Sequence, residues 1–376
     1  MYFLVSLGVL MFLFDAQNVL SRWRRHVIDV DGSKGSQDYT LCLTLYGHPR
    51  YFVNREWLRR WQSRVLVILS NMTPEYVAEL RAEGWRVFEV EMERPSPPAM
   101  IRDAIDAGQV TTKYAVRMDA DVETKGDIDA AIGAMDAAGA HVCSVKTHVL
   151  NERASVWTRL QALEYRMSML GRHNRPWCLS GAFFVVRTDL LGRIYHRHSC
   201  WFFGEDSETG IVARRMGFKI AHLDFEILTE APDTGKAWVR QRRAWWAGSF
   251  RQTWVNFPHM VRYPLWMTYN LLLVWVMLYY RSATVWQLTE VLPIILVAYV
   301  LLTLVANWQV RSEWMIVYPI YALVQVAVMP LYGFAYYCYI ALTYRRAGFY
   351  RLPIVGRIRP PGPPAYHPKE ISLENA

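Results

Sequence analysis

The sequence predicts a mainly parallel α/β domain flanked on both sides by apolar helical segments. Three observations carry this. Between residues 28 and 260 short β-rich runs alternate with helical ones, an uncharged apolar run opens the chain, and three long apolar stretches follow Pro264. Alternation of this kind implies a sheet covered by helices on both faces. The composition agrees: of 376 residues 53% are hydrophobic, 14% aromatic and only 20% charged, against about 25% charged in an ordinary soluble protein. Sixteen Trp and 22 Tyr suit a water–lipid boundary, where amphipathic rings collect.

The elements follow in order. Residues 1–14 carry no charge, and Arg22, Arg24 and Arg25 come soon after. Fourteen helical residues rise only about 21 Å against a hydrocarbon core of about 30 Å, so an anchor must extend through Asp15 to Leu20. Apolar-then-basic order favours an anchor over residues 1–25 with its basic side in the cytoplasm, over a cleaved signal peptide. Strands are expected at 41–46, 64–70, 85–90, 113–118, 141–146 and 182–187, and helices at 75–83, 100–107 and 128–138. Together they make one α/β domain over 28–236, expected on the cytoplasmic side. An amphipathic interfacial helix is expected at 237–260. A membrane region follows over 264–343, with apolar stretches at 265–280, 285–307 and 314–342 broken by Glu290, Pro293, Pro319 and Pro330. Residues 344–376 form a basic, Pro-rich tail. Three full crossings would put that tail outside, against the positive-inside tendency, so one stretch is expected to be interfacial or re-entrant. The location expected is a multi-pass cell-membrane one.

The net charge of +9 would suit nucleic acid, anionic lipid or a phosphorylated substrate. With no nucleic-acid-binding fold in view, lipid headgroups account for it best and no nucleic-acid partner is expected. Five widely spread Cys with no CxxC argue against a disulfide framework or a zinc site. A small secreted fold, a disordered chain and a coiled coil are excluded.

Three runs carry chemistry. Asp119 and Asp121 end an apolar strand, and side chains at i and i+2 share a face. The carboxyl ends of parallel strands are where such sheets bind ligands, and two acids there can hold Mg²⁺ or Mn²⁺ against a diphosphate. The alternative is an Asp-rich turn capping the helix near Gly126 and Asp127. Glu205 and Asp206 open a second helix, either as first-turn acids or with Asp206 as a general base. Arg240-Gln-Arg-Arg-Ala-Trp-Trp-Ala-Gly248 combines phosphate-binding guanidinium groups with sugar-stacking faces, or is an interfacial helix with snorkelling arginines. His196, His198 and Cys200 lack a further ligand and read as a loop. His48 either touches a nucleotide or fills a turn before Pro49, and Lys146 and His148 read as a polar rim.

In order and spacing, D-A-D, Leu179-Ser-Gly-Ala-Phe183, G-E-D, Thr229-Glu-Ala-Pro-Asp-Thr234 and Q-R-R-A-W-W-A-G resemble membrane-embedded glycosyltransferase family 2. That family includes the synthases of hyaluronan, cellulose and chitin oligosaccharide. The likeness runs from about residue 41 to 251. It implies a GT-A domain, an inverting reaction and a nucleotide-diphosphate sugar, usually linked to uridine. By the same resemblance Asp119 and Asp121 hold the diphosphate and its Mn²⁺ or Mg²⁺, and Asp206 is the base with Glu205 beside it. Tyr46, Asn71, Gln241, Arg242 and Arg243 are assigned to the nucleotide sugar, and Trp245, Ser180 and Gly181 to a glycan or lipid-linked acceptor.

Three positions depart from the family pattern. Ala244 stands where the Q-x-x-R-W motif has Arg, and Arg243 as its substitute would point about 100° away on a helix. Ser70 and Asn71 stand where an Asp commonly meets the base, and Tyr46-Gly-His-Pro49 replaces an Asn-acidic turn. Three functions follow from the whole reading: elongation of a polysaccharide, single transfer to a polyprenyl phosphate or lipid, and a degenerate scaffold.

Overall fold

A computed structural model of the chain describes residues 26–257, except 33–34, 93–94 and 201–202, and residues 292–344, with isolated positions 9, 13, 18, 19, 261, 262 and 290. The predicted anchor, the first apolar stretch at 265–280 and the tail beyond residue 344 lie outside the described residues.

The strands are β1 (Val27–Asp29), β2 (Tyr39–Tyr46), β3 (Val65–Ser70), β4 (Arg86–Glu89), β5 (Tyr114–Met118), β6 (Glu123–Thr124), β7 (Val142–Val149), β8 (Phe183–Arg187) and β9 (Ile220–Thr229). They form one sheet in the order β1-β9-β7-β8-β5-β2-β3-β4, with β6 pairing β9. The pairs β2/β3, β2/β5, β3/β4, β7/β9 and β1/β9 are parallel, while β8 runs antiparallel to both β5 and β7. All six predicted strands are present within one or two residues, except that β7 runs on to Val149. Not expected were β1, β6 and β9.

The helices of eight residues or more are α1 (Pro74–Ala82), α2 (Pro97–Asp106), α3 (Ile128–Ala137), α4 (Val156–Arg172), α5 (Thr188–Tyr195), α6 (Glu205–Arg215), α7 (Gly235–Val255), α8 (Leu292–Ala306), α9 (Tyr318–Ala327) and α10 (Met329–Tyr344). Period-2 alternation explains why both faces of the sheet need covering. Leu41, Leu43, Leu45, Val65, Val67 and Leu69 enter one core with Val77 and Leu80 of α1 and Ile132 of α3. The intervening Cys42, Leu66 and Ile68 enter the other, with Met100 of α2, Leu191 of α5 and Val212 of α6. Buried on both faces, these strands read as continuous apolar runs.

Capping fixes where the helices begin. Thr73 caps α1 ahead of Pro74, and Ser155 with Thr158 forms a capping box on α4. Each supplies acceptors for the first-turn amides that a helix leaves unpaired. Thr234 caps α7.

Helix α7, expected to lie at a membrane interface, is packed on two sides. One side meets α10, where Gly333 lies against Trp246 and Ala247. It also crosses the start of α6 closely enough that a Cβ at Gly248 would come 2.8 Å from the Phe203 carbonyl oxygen. Among the described residues one stretch, Tyr318–Thr343, is by length and composition long and apolar enough to cross a membrane. It is interrupted at Val328 between α9 and α10, as expected from Pro330, which cannot donate to the preceding turn. The 15 residues of α8 rise about 22 Å.

The α6–α7 crossing holds a buried ion pair. Arg251 Nη1 lies 2.8 Å from Glu208 Oε2, each side chain 4% exposed, and the Ser199 hydroxyl donates to the same carboxylate at 2.6 Å. Burial opposes ionisation of Glu208, but Arg251, His198 and Ser199 outweigh it and hold the carboxyl well below its usual range. Arg251→Met should therefore cost about 3–5 kcal/mol, because it strands a buried charge. Thermal unfolding of the purified protein measures this. A carboxyl depressed in the folded state stabilises above its ordinary pKa of about 4.3 and loses that contribution as pH falls. The wild type should thus lose stability below that pH more steeply than Glu208→Gln.

Candidate active site

The two acidic motifs meet. A cavity of about 520 Å³ opens at the carboxyl ends of β5 and β9, lined by Asp119, Asp121, Glu205, Asp206 and Glu230 among others. Asp119 and Asp121 follow β5 in a turn closed by the Val122 amide on the Asp119 carbonyl at 3.3 Å, so the turn and not a continuing strand brings both to the cavity wall. Capping of α3 falls to Asp127, whose carboxylate accepts from the Asp129 amide at 3.1 Å, so the turn-capping alternative for Asp119 and Asp121 is not taken. Asp121 Oδ2 accepts from the Thr229 hydroxyl at 3.3 Å. Burial first, then the neighbouring Asp119 charge, push its carboxyl up to about 7.

Asp206 sits in the first turn of α6 after Gly204, whose φ of 70° favours glycine. Its Oδ2 accepts from the Gly181 amide and its Oδ1 from the Ser207 amide, both at 2.7 Å. Two fixed donors therefore aim the carboxylate at the cavity. Glu205 is differently placed: its Oε1 lies 3.0 Å from Arg117 Nη2 and its side chain is 13% exposed. Burial raises its carboxyl to about 8, with Arg117 opposing.

Arg117, which the sequence reading passed over, ties the motifs together. Its guanidinium is 4% exposed and reaches Asp119 at 3.3 Å as well as Glu205, and it donates to the Gly181 carbonyl. A side chain at Gly181 would strike it, the built Cβ lying 2.5 Å from Nη1. That explains the glycine in Leu179-Ser-Gly-Ala-Phe183. A single Arg inside an otherwise apolar strand was the available signal.

On α7, Gln241, Ala244, Trp245, Gly248, Ser249 and Gln252 line the cavity. Trp245 is 44% exposed, and Tyr165 of α4 stacks beside it with ring centroids 6.4 Å apart. Ser180 and Gly181 also line the cavity.

Four expected site residues fall outside this lining. Arg242 is fully buried, lying 2.6 Å from Glu164 and 4.1 Å from the Trp245 ring. It backs Trp245 and does not face the cavity. Arg243 packs over Tyr336 at 4.4 Å, so it leaves the place of the missing motif arginine open. Tyr46 stands at the end of β2, within electrostatic reach of Asp119 and Glu205. The Asn71 side chain donates to the Met92 carbonyl at 3.1 Å, and its φ of 56° is one that Asn tolerates.

The lesser expectations resolve simply. His48 caps the turn at Pro49 by accepting from the Arg50 amide. His196 pairs with Asp106, and buried His198 meets the Glu205 carbonyl at 2.8 Å. Lys146 and His148 face Asp224 and Glu226 on β9. Among the described residues no group of three or more His, Cys, Asp or Glu converges as a closed metal site.

The donor set at Asp119 and Asp121 still suits a hard divalent cation, which accepts one or two carboxylates and completes its shell with phosphate and water. The Asp121 carboxyl, pushed up by burial and by Asp119, lacks the compensating positive charge that such a cation would supply.

Comparison with known proteins agrees with this geometry. Among solved structures, the mannosyltransferase PcManGT from Pyrobaculum calidifontis in complex with GDP-Man and Mn²⁺ is similar with a TM-score of 0.51 and 15% identity, over 87% of this chain and 96% of that one. Glucosyl-3-phosphoglycerate synthase from Mycobacterium tuberculosis gives 0.36 and 12%, over 57% and 78%. Mannosyl-3-phosphoglycerate synthase from Rubrobacter xylanophilus gives 0.40 and 11%, over 61% and 82%. The first shares the GT-A-like fold. No curated protein matches by sequence. The family model for glycosyl transferase family group 2 matches residues 124–336, more than half of the chain, taking in Glu205, Asp206 and all of α7 and beginning just beyond Asp121. The chain is a glycosyltransferase and belongs to glycosyl transferase family group 2.

Proposed function

We propose that the chain transfers a sugar, with inversion, from a nucleotide-diphosphate sugar to a growing polysaccharide at a membrane surface. The observation that carries this is the meeting of Asp119, Asp121 and Asp206 in one cavity whose wall includes the half-exposed ring of Trp245. Asp206 takes the proton from an acceptor hydroxyl. That oxygen bonds to the anomeric carbon as the bond to the diphosphate breaks, and the nucleotide diphosphate leaves with the electron pair. Asp119 and Asp121 would hold a divalent metal, Mn²⁺ or Mg²⁺, which when bound neutralises charge on the leaving diphosphate. Glu205, engaged by Arg117, positions the motifs, and Arg242 steadies the Trp245 platform.

Exposed apolar side chains on α8 to α10, including Ile294, Leu301, Val305, Ile320 and Leu342, support a membrane setting. In this reading residues 28–236 face the cytoplasm, α7 links them to the bilayer, residues 1–25 anchor the chain and 264–343 lie in the membrane. The synthases of hyaluronan, cellulose and chitin oligosaccharide are the family members it would resemble in function.

Transfer of one sugar to a lipid phosphate is the second reading, favoured by a guanidinium in the cavity wall described below. Membranes incubated with a panel of UDP- and GDP-sugars and Mn²⁺ test both. Nucleotide release with water-soluble polymer supports elongation, and organic-extractable product selects the lipid acceptor. Purified protein that neither binds nor cleaves any donor would overturn both.

A further inference from the structure

Each of the most deeply buried arginines of the catalytic region has a carboxylate of its own. Arg102 meets Asp103, Arg117 meets Asp119 and Glu205, Arg242 meets Glu164, and Arg251 meets Glu208. Arg172 differs. It ends α4 and lines the cavity with Asp206, Cys178 and Ala244. Its Nη1 is buried without a hydrogen-bond partner, and no ion pair to it occurs among the described residues.

Its surroundings do not explain it away. Asp206 is close enough to act on it electrostatically, yet the Asp206 oxygens take the Gly181 and Ser207 amides. Tyr165 and Cys178 are its other charge-sensitive neighbours. Behind it His222, held well below its ordinary pKa by burial and by the Arg172 charge, is neutral and offers no counter-charge. Burial likewise pulls the guanidinium itself below its usual pKa, as expected of an uncompensated buried cation.

A half-buried cation whose Nη1 is enclosed without a partner calls for an anion from elsewhere. The same wall holds Ala244, one side of α7 that offers the cavity a methyl group and no charge. A planar guanidinium matches phosphate or carboxylate oxygens through several fixed donors.

We propose that Arg172 is an oxyanion-binding residue of the cavity, holding a phosphate-type oxygen of the bound substrates. The anion is either the donor's diphosphate or an anionic group on the acceptor beside Asp206. This rests on the cavity being the sugar-transfer site. The test is built so that the two can fail separately.

Full-length wild type, Arg172→Gln and Arg172→Lys are purified in detergent with Mn²⁺. Binding of UDP, GDP and inorganic pyrophosphate is measured by tryptophan fluorescence and by the shift in unfolding temperature. Inhibition of nucleotide release by inorganic phosphate is measured beside it. If Arg172 reads the donor, Arg172→Gln binds the diphosphates and pyrophosphate about 10–100-fold more weakly, the loss expected for a charge-assisted bond, and Lys restores part of it. Should it read the acceptor, diphosphate binding is unchanged and sensitivity to inorganic phosphate falls by a similar factor.

Arg172→Gln matching wild type within twofold in both measurements would overturn the proposal. Arg172→Lys, which keeps the charge and length, carries the comparison if the Gln variant does not fold. Pyrophosphate binding that depends on Arg172 in a protein with no activity on any nucleotide sugar would uphold the oxyanion site while removing the transferase reading.

Discussion

Asp206→Asn should lower turnover by about 10²–10⁴, the usual contribution of a positioned base, while nucleotide binding stays close to wild type. The change keeps the side chain's shape and leaves one carbonyl oxygen for either the Gly181 or the Ser207 amide, each 2.7 Å away in the wild type. What it removes is the ability to accept a proton. Nucleotide release under saturating donor and acceptor reads the loss, and equilibrium binding of the nucleotide serves as the control. Glu205→Gln is the informative partner. Glu205 faces Arg117, so its loss should act through misplacement of Asp119 and weaken nucleotide binding together with turnover. A wild-type rate in Asp206→Asn removes Asp206 from the chemistry. Equal effects of the two variants on binding would mean that both residues only support the fold.

Much of the fold was legible because the strands are buried on both faces and so stand out as apolar runs. The run 64–70 needs no partner to be recognised, and the same holds for 41–46. Strand β9 escaped because it alternates: Ala221, Leu223, Phe225 and Ile227 point inward while Asp224 and Glu226 face Lys146 and His148 of β7. Sheet order was not legible at all, since it depends on pairings such as β8 between β5 and β7.

At the site, the acids were recognisable from their motifs, whereas their partners were not. Glu164 and Arg242 are 78 residues apart, and Arg117 and Glu205 are 88 apart. The misplacement of Arg242 has a different cause. Gln241, Ala244, Trp245, Gly248 and Gln252 recur at the helical spacing of three and four, and all line the cavity. Position 242 lies at the edge of that stripe, three residues from Trp245, and what turns it away from the cavity is its ion pair with Glu164.

Asp121→Asn should abolish Mn²⁺ stimulation while raising stability. Asp121 is held by one hydroxyl, that of Thr229 at 3.3 Å, and burial together with Asp119 pushes its carboxyl up to about 7. A carboxylate in that setting repels its neighbour and is poorly solvated, an unfavourable electrostatic energy that a bound cation would relieve. Asn removes the charge, keeps an oxygen for Thr229 and relieves the repulsion. In EDTA the variant's unfolding temperature should therefore exceed that of wild type, a trade of stability against function expected at such sites. In Mn²⁺ the order should reverse, because wild type gains stability from the bound cation by mass action and the variant gains little. Metal-dependent nucleotide binding should fall by more than the 10–100-fold typical of losing a mere supporting group around a metal. A variant that melts below wild type in EDTA yet keeps full Mn²⁺ stimulation would place Asp121 among the structural acids and leave Asp119 to hold the cation alone.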